Sequence, residues 1–261
     1  MGGVEQTFYQ WIIKHKELLT KDPEQADFHY LPIFWTNYHL INNYGKTGRR
    51  EIQKQCDRAI MNARKTFTLC QYDDGPMVDL QGSIVFLGSR TTADDLDIPL
   101  LCSPHKYKRI RKKYVANFVG RTKTHPIRQE LYEIIRKDKK YKYLNRILGT
   151  ERTFVNVMLK SYACLCPRGY GGSSFRFFEA MQLGVVPIHI GDQDIRPFKD
   201  FLPWDKCSFY FKSPRDAIAC LDQISLEQLS IMGKRAKKVY DRVFAGNMWC
   251  ELCLKELYMK F

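Results

Sequence analysis

The stretch from residue 164 to residue 190 constrains the fold of this chain more than any other. Residues 164–166 are short and apolar, as a buried strand requires, and 167–172 combine one proline with three glycines, which break the strand into a loop. Residues 173–184 read as a helix with serines at its start, an apolar face and a terminal glycine. Because 185–190 resumes as a second apolar run, the pattern predicts a β-loop-α-β unit, and therefore a parallel α/β sheet.

The loop and helix of this unit are typical of an anion site. Free backbone N–H groups and the positive end of the helix dipole favour a phosphate. Arg176 can grip two phosphate oxygens, and Glu179, one turn later, can accept both hydroxyls of a ribose. The alternative, that Arg176 and Glu179 only pair with each other on a solvated helix face, stays open on the residues alone. The candidate nucleotide ligands of this unit are Arg168, Gly172, Ser173, Ser174, Arg176 and Glu179.

Three segments of the chain resemble signatures of the exostosin-like glycosyltransferases. They are the Asp-Pro-Glu stretch at 22–32, the strand and arginine-bearing loop at 117–128, and the central unit with Cys-Pro-Arg-Gly-Tyr at 166–170 and Leu-Gly-Val-Val-Pro at 183–187. The resemblance implies an α/β fold of the GT-B type, with two Rossmann-like domains that face each other across a cleft. It also implies a nucleotide-sugar donor. An anchorless chain of this kind also resembles forms encoded by large DNA viruses.

The order of apolar segments divides the chain into two α/β series. We expect an acceptor-side domain at 1–112 and a nucleotide-sugar-binding domain at 113–247, with a last helix at 248–261 that crosses back to the first domain, as in the family. In the first domain the patterns predict helices at 4–19, 38–43 and 51–63, and strands at 28–34, 66–70, 83–87 and 97–101. In the second they predict strands at 114–120, 164–166, 185–190 and 208–211, and helices at 126–137, 153–160, 173–184, 213 onwards, 226–244 and 248–261.

Glycosyl transfer needs a base for the acceptor hydroxyl and positive charge for the departing diphosphate. The loop after strand 114–120 supplies Gly120, Arg121 and Arg128 as further phosphate ligands, although Arg121 can equally be an exposed loop charge.

The base should come from the facing domain. Asp73 and Asp74 follow an apolar strand and precede a Gly-Pro turn, and the charge of one raises the pKa of the other. This element resembles the family's His-Asp-x-Gly-Pro, which aligns Asp73 with the family's aspartate and puts Tyr72 where the histidine usually stands. A plain turn, in which both carboxylates bind backbone donors, is the alternative. His105 is the reserve base.

A metal-dependent transferase of the GT-A type is the competing enzyme class, because it needs an Asp-x-Asp pair. Asp95 with Asp97 and Asp192 with Asp194 have that spacing, but neither pair follows an apolar strand in the required context. We therefore expect no metal and no cofactor apart from the donor itself.

Composition excludes several classes. A hydrophobic share of 44% supports a real core, and no apolar run reaches the length of a membrane span. Nine cysteines, an odd number in apolar segments, suit buried thiols and a cytoplasmic protein, or a Golgi-lumen enzyme if an N-terminal anchor has been removed.

The net charge of +14 needs an explanation, and the densest basic runs are 106–113 and 136–142. A basic nucleic-acid-binding protein is the rival reading, but no known motif of that class accompanies the runs. The favoured function is an inverting, metal-independent transferase that moves a sugar, with xylose or galactose as the guess, from a UDP-sugar to a hydroxyl of an oligosaccharide or glycoprotein acceptor. We expect no nucleic-acid partner.

Overall fold

The structure, a computed structural model, describes residues 3–92, 96–145 and 151–261 and contains two parallel sheets. The first has the spatial order β1-β2-β3-β4, with β1 at His29–Tyr30, β2 at Thr66–Cys70, β3 at Ile84–Leu87 and β4 at Leu96–Asp97. The second has the order β6-β5-β7-β8-β9, with β5 at Tyr114–Val119, β6 at Tyr141–Leu144, β7 at Ser161–Pro167, β8 at Val186–Ile190 and β9 at Phe209–Phe211. The predicted α/β fold of the GT-B type is confirmed.

Helices cover both sheets and join them. The first series has α1 at Val4–Ile12, α2 at Trp35–Ile41 and α3 at Arg49–Ala59. The second has α4 at Pro126–Ile135, α5 at Glu151–Leu159, α6 at Phe175–Gln182, α7 at Pro214–Gln223 and α8 at Leu226–Val239, which continues into a π-helical turn at Tyr240–Phe244. The last helix, α9 at Met248–Lys260, returns to the first series, where the Trp249 ring lies 6.2 Å from that of Phe8 and the Tyr258 hydroxyl donates to Asp27 at 2.8 Å.

Three predicted elements of the first series are shorter than expected. The helix predicted at 4–19 ends at Ile12, because the chain tightens after Trp11 and the His15 ring contacts the Trp11 carbonyl. A separate 3₁₀ turn follows at 16–18, and Leu18 and Leu19 are half exposed rather than part of the apolar face. The strand predicted at 28–34 pairs only over His29–Tyr30, since Pro32 has no N–H to continue the ladder. The strand predicted at 97–101 is Leu96–Asp97, with Pro99 close behind.

The order of the second sheet determines where a ligand can bind. Strand β5 leads to β6 on one side, whereas β7 leads to β8 and β9 on the other. The loops after β5 and β7 therefore leave in opposite directions and open a crevice between them, which is where open parallel sheets bind ligands. This switch point lies beside the central unit of the sequence.

Candidate functional site

A cavity of about 540 Å³ lies at this switch point, between the two sheets. Its second-domain wall comes from the loops after β5 and β7 and from the start of α6. Its first-domain wall comes from the segments that follow β2 and β4. The lining residues are Asp73, Leu100, Val119, Gly120, Arg121, Thr124, Arg128, Gly169, Tyr170, Gly171, Ser173, Ser174, Phe175 and Arg176. The structure thus brings most of the sequence-predicted site residues to one place.

The start of α6 is open to a ligand. Ser174 is the N-cap residue, but its side chain makes no capping hydrogen bond within the described chain. The Ser173 hydroxyl is buried and has no hydrogen-bond partner among the described residues, although it belongs to the cavity wall. A helix N-terminus with uncapped donors and an unused hydroxyl is a ready anion site.

Arg176 and Glu179 form an ion pair with each other, which is the alternative that the sequence left open. The pair is buried, however, rather than on a solvated helix face. The Arg176 guanidinium lies 4.3 Å from the centre of the Phe154 ring, and Arg176 also borders the cavity. The other oxygen of Glu179 lies 3.4 Å from Nε2 of His105, whose side chain is buried. Among the described cavity-lining residues neither Glu179 nor His105 appears, so both stand behind Arg176 rather than at the surface of the site.

The arginines after β5 and β7 differ in their freedom. Arg128 lines the cavity, but its Nε donates to the Arg168 carbonyl at 2.7 Å and its two Nη atoms donate to the carbonyls of Pro167 and Arg121 at 3.0 and 3.3 Å. Arg168 pairs with Asp192 and is absent from the described cavity wall. Arg128 and Arg168 were predicted to bind phosphate. In the structure both guanidinium groups instead bind carbonyl oxygens and a carboxylate of the protein itself, and so stabilise the loops around the cavity. Arg121 is exposed on the cavity wall.

Asp73 is the carboxylate that the first domain contributes to the cavity. The residue is exposed to solvent, yet desolvation by its surroundings raises its pKa, and the neighbouring charge of Asp74 raises the pKa further. A hydrogen bond with the Ser89 side chain and the charge of Arg168 lower the same pKa in part. A carboxylate with a raised pKa opposite a cationic wall suits a general base.

The glycine loop contacts the first domain directly. The Gly172 N–H donates to the Ser89 carbonyl at 3.1 Å, and the Ser173 N–H donates to the Ser89 hydroxyl at 3.2 Å. A Cβ at Gly171 would lie 2.0 Å from the Ser89 hydroxyl, and one at Gly172 would lie 1.9 Å from the Arg90 carbonyl. The expectation of free loop N–H groups is therefore wrong for Gly172 and Ser173, whose donors bind Ser89.

Sequence reasoning missed Ser89 and the buried pair beside it. Ser89 follows β3 as Gly-Ser-Arg, so a small residue pair at the end of an apolar strand was the available signal. Arg90 binds Asp97 through two hydrogen bonds of 2.8 and 2.9 Å and donates to the Asp194 carbonyl at 2.9 Å. This buried network ties the end of the first sheet to the loop after β8.

The aspartates proposed for a metal have arginine partners instead. Asp97 binds Arg90, Asp192 pairs with Arg168, and Asp194 binds Arg196 at 2.8 Å. Asp95 lies outside the described residues. In residues 3–92, 96–145 and 151–261 no three His, Cys, Asp or Glu side chains group as a metal site would require.

The cysteines and helices add two further observations. All nine cysteines are free thiols, and eight of them are buried. Of the helices that the structure describes, none has the length and apolarity needed to cross a bilayer.

Two parallel α/β sheets, with a cavity at the switch point that is lined by three arginines, have the architecture of the GT-B class. Sequence comparison then identifies the family, because the exostosin GT47 domain matches residues 38–218. The chain belongs to the exostosin GT47 family.

Individual relatives match over shorter stretches. A probable glucuronosyltransferase of Oryza sativa subsp. japonica is 36% identical over 72 residues, which are 28% of this chain and 17% of the relative. An exostosin-1 homolog of Caenorhabditis elegans is 33% identical over 88 residues, 33% of this chain and 23% of the relative. The matched stretches thus span less than a quarter of the length of these curated relatives. Among solved structures, TarM aligns with 77% of this chain and 57% of its own at 10% identity, with a TM-score of 0.45.

Proposed function

We propose that the chain is a glycosyltransferase that moves a sugar from a UDP-sugar to a hydroxyl of a glycan acceptor. Membership of the exostosin GT47 family supports this class of reaction. The observation that carries the proposal is the cavity itself, where Asp73 of the first domain faces Arg121, Ser173 and Arg176 of the second. A base on one side and an anion site on the other are the two halves that glycosyl transfer needs.

In the proposed reaction the diphosphate binds at the start of α6. The uncapped N–H groups of the first turn, the Ser173 hydroxyl and the guanidinium groups of Arg121 and Arg176 bear its charge. The anomeric carbon is then held between this site and Asp73, as near-attack geometry requires.

Asp73 takes the proton of the acceptor hydroxyl while that oxygen forms a bond to the anomeric carbon. The bond between the anomeric carbon and the diphosphate oxygen breaks, and the electron pair leaves with UDP. This single displacement inverts the configuration at the anomeric carbon. The raised pKa of Asp73 supports the role, because a stronger base accepts the proton more readily.

We further propose that transfer needs no metal ion. Arg121, Arg176 and the helix N-terminus supply positive charge where a cation would otherwise stand, and Asp192 and Asp194 are engaged by arginines. We also propose that Glu179 accepts hydrogen bonds from the ribose hydroxyls of the nucleotide. Its carboxylate contacts Arg176 and His105 in this structure, so the nucleotide would compete with them for it.

The test is a screen of UDP-sugars, including xylose, galactose and glucuronic acid, in which release of UDP is measured with and without EDTA. With the donor found, Asp73→Asn should lower transfer by about 10²–10⁴-fold, the usual contribution of a general base, and leave the affinity for UDP in calorimetry close to that of the wild type.

Asp79→Asn, at an exposed position outside the cavity, is the matched control and should transfer at the wild-type rate. Full activity of Asp73→Asn would move the base elsewhere, and loss of activity in EDTA would refute the metal-free mechanism. Absence of UDP binding would overturn the assignment as a whole.

A further inference from the structure

Lysines stand immediately before three adjacent strands of the second sheet. Lys113 precedes β5, Lys140 precedes β6 and Lys160 precedes β7. The Lys113 N–H donates to the Lys160 carbonyl at 2.7 Å, and the Val115 N–H donates to the Lys140 carbonyl at 2.8 Å, so the three backbones lie side by side. Because neighbouring strands are about 4.8 Å apart, these lysines form a row along one edge of the sheet.

The basic run at 106–113 extends this row. Six of its eight residues are Lys or Arg, and it leads directly into β5. The Tyr107 ring faces Gly184, which lies just after α6, and the Lys237 ammonium of α8 lies 5.6 Å from the centre of that ring. We define the basic edge as the exposed Lys and Arg side chains of residues 106–113, 136–140, 160 and 234–238.

Acidic side chains neutralise only part of the basic edge. Lys140 pairs with Asp138 and Asp222, Lys237 pairs with Asp241, and Arg136 pairs with Glu133. Eleven further cations of the basic edge are exposed and have no acidic partner within 4.0 Å in the described parts of the chain. They are Lys106, Lys108, Arg109, Arg111, Lys113, Lys137, Lys139, Lys160, Lys234, Arg235 and Lys238.

The basic edge lies opposite the cavity. The cavity is built from loops that follow the carboxyl ends of β5 and β7. In the basic edge, residues 106–113 and Lys160 precede the amino ends of the same strands, residues 136–140 precede β6, and Lys237 lies beside Gly184, just before β8. In a parallel sheet these two ends are on opposite sides. A partner bound to the basic edge therefore leaves the cavity open.

We propose that the basic edge docks on a membrane surface that carries anionic phospholipid headgroups, with the cavity facing away from the bilayer. Lysine-rich arrays suit the diffuse negative field of such a surface, where each cation strengthens partitioning by about fivefold. Tyr107, which is 52% exposed among these cations, has the amphipathic ring that sits well at an interface. Single-stranded nucleic acid would instead favour several exposed aromatic rings, and Tyr141, next to Lys140, is buried.

The test is co-sedimentation of the protein with vesicles of phosphatidylcholine alone and of phosphatidylcholine mixed with phosphatidylserine. The wild type should bind the mixed vesicles, less so as salt rises, and should not bind phosphatidylcholine alone. The triple variant Lys113→Gln, Lys139→Gln, Lys160→Gln should bind the mixed vesicles about 10²-fold more weakly, from three losses of about fivefold each.

The matched control removes three exposed lysines of the first domain by Lys21→Gln, Lys46→Gln and Lys54→Gln. It has the same net charge as the first triple variant. Its binding to the mixed vesicles should weaken by less than about tenfold, against about 10²-fold for the first variant. Equal losses in both variants, or no binding of the wild type to the mixed vesicles, would overturn the proposal. The proposal would also be overturned if the wild type bound RNA through the basic edge in a gel shift but did not bind the vesicles in co-sedimentation. UDP affinity should be the same in all three proteins, so this test stands apart from that of the enzymatic activity.

Discussion

Replacement of Gly172 by alanine tests the contact between the two domains most directly. The backbone of Gly172 has no positive φ, so alanine fits its conformation and the cost is steric. The new Cβ would lie 1.9 Å from the Arg90 carbonyl oxygen, a backbone atom that no rotamer change can move. Ordinary contact begins near 3.4 Å, so the two backbones must separate by about 1.5 Å.

This separation should affect stability and transfer differently from nucleotide binding. Overpacking of a buried contact costs about 1–3 kcal/mol, and the two hydrogen bonds from the loop to Ser89 add roughly 1 kcal/mol each if they break. Ser89 also holds Asp73, so the base moves with it. Because a misplacement of about 1 Å can cost 10²-fold, transfer should fall by about that factor. The anion site at the start of α6 lies wholly in the second domain, so affinity for UDP should stay near the wild-type value.

Denaturant unfolding, calorimetry with UDP and the rate of transfer measure the three effects. Gly169→Ala is the matched control in the same loop, because its Cβ would meet only the end of the Arg128 side chain, at 3.2 Å. Gly172→Ala with wild-type stability and wild-type transfer would refute the reasoning, since the domains would then not meet at this glycine. Equal defects in both variants would show that the loop, rather than the contact with Arg90, sets the rate.

Two further predictions concern the residues that hold this contact. Ser89→Ala removes a hydrogen bond that lowers the pKa of Asp73, so the pKa of Asp73 should rise. Since the proposed base works only when ionised, the acid limb of the pH profile of kcat/KM should move to higher pH. An unchanged acid limb would contradict the role of Ser89. Asp97→Ala leaves the buried Arg90 guanidinium without its carboxylate and should lower the free energy of unfolding by about 3–5 kcal/mol in denaturant titration. Asp205→Ala, at a fully exposed aspartate, should leave the unfolding midpoint unchanged, and an equal loss there would count against the buried pair.

The central unit could be predicted from sequence because its signals are local. An apolar strand, a proline, a glycine cluster and a serine before an amphipathic run follow one another within 27 residues, and each restricts its own segment. The structure places β7 at Ser161–Pro167, α6 at Phe175–Gln182 and β8 at Val186–Ile190, close to the predicted bounds. The strand that precedes Asp73 could be predicted in the same way, since 66–70 is one largely apolar run that ends at a turn.

The pairing of side chains across the fold could not be predicted in this way. Glu179 binds His105 from 74 positions away, and the Gly172 N–H binds Ser89 from another domain. No periodicity links such residues, because their contact depends on how two sheets pack. The strands at 29–30 and 96–97 are shorter than predicted for a related reason, since their lengths depend on the partner strand and on the prolines that follow.

The glycine loop shows why a residue type alone did not assign its role. Glycine at 171 and 172 suits a phosphate, which needs close approach to the backbone, and it suits equally well a second backbone that packs against the loop. In the structure these two glycines pack against Ser89 and Arg90, whereas the Ser173 hydroxyl and the first turn of α6 border the cavity, where a ligand can bind. One short segment therefore touches the first domain and the proposed diphosphate at once. Because the Ser89 side chain also forms a hydrogen bond with Asp73, this contact fixes where the proposed base stands relative to the proposed diphosphate site.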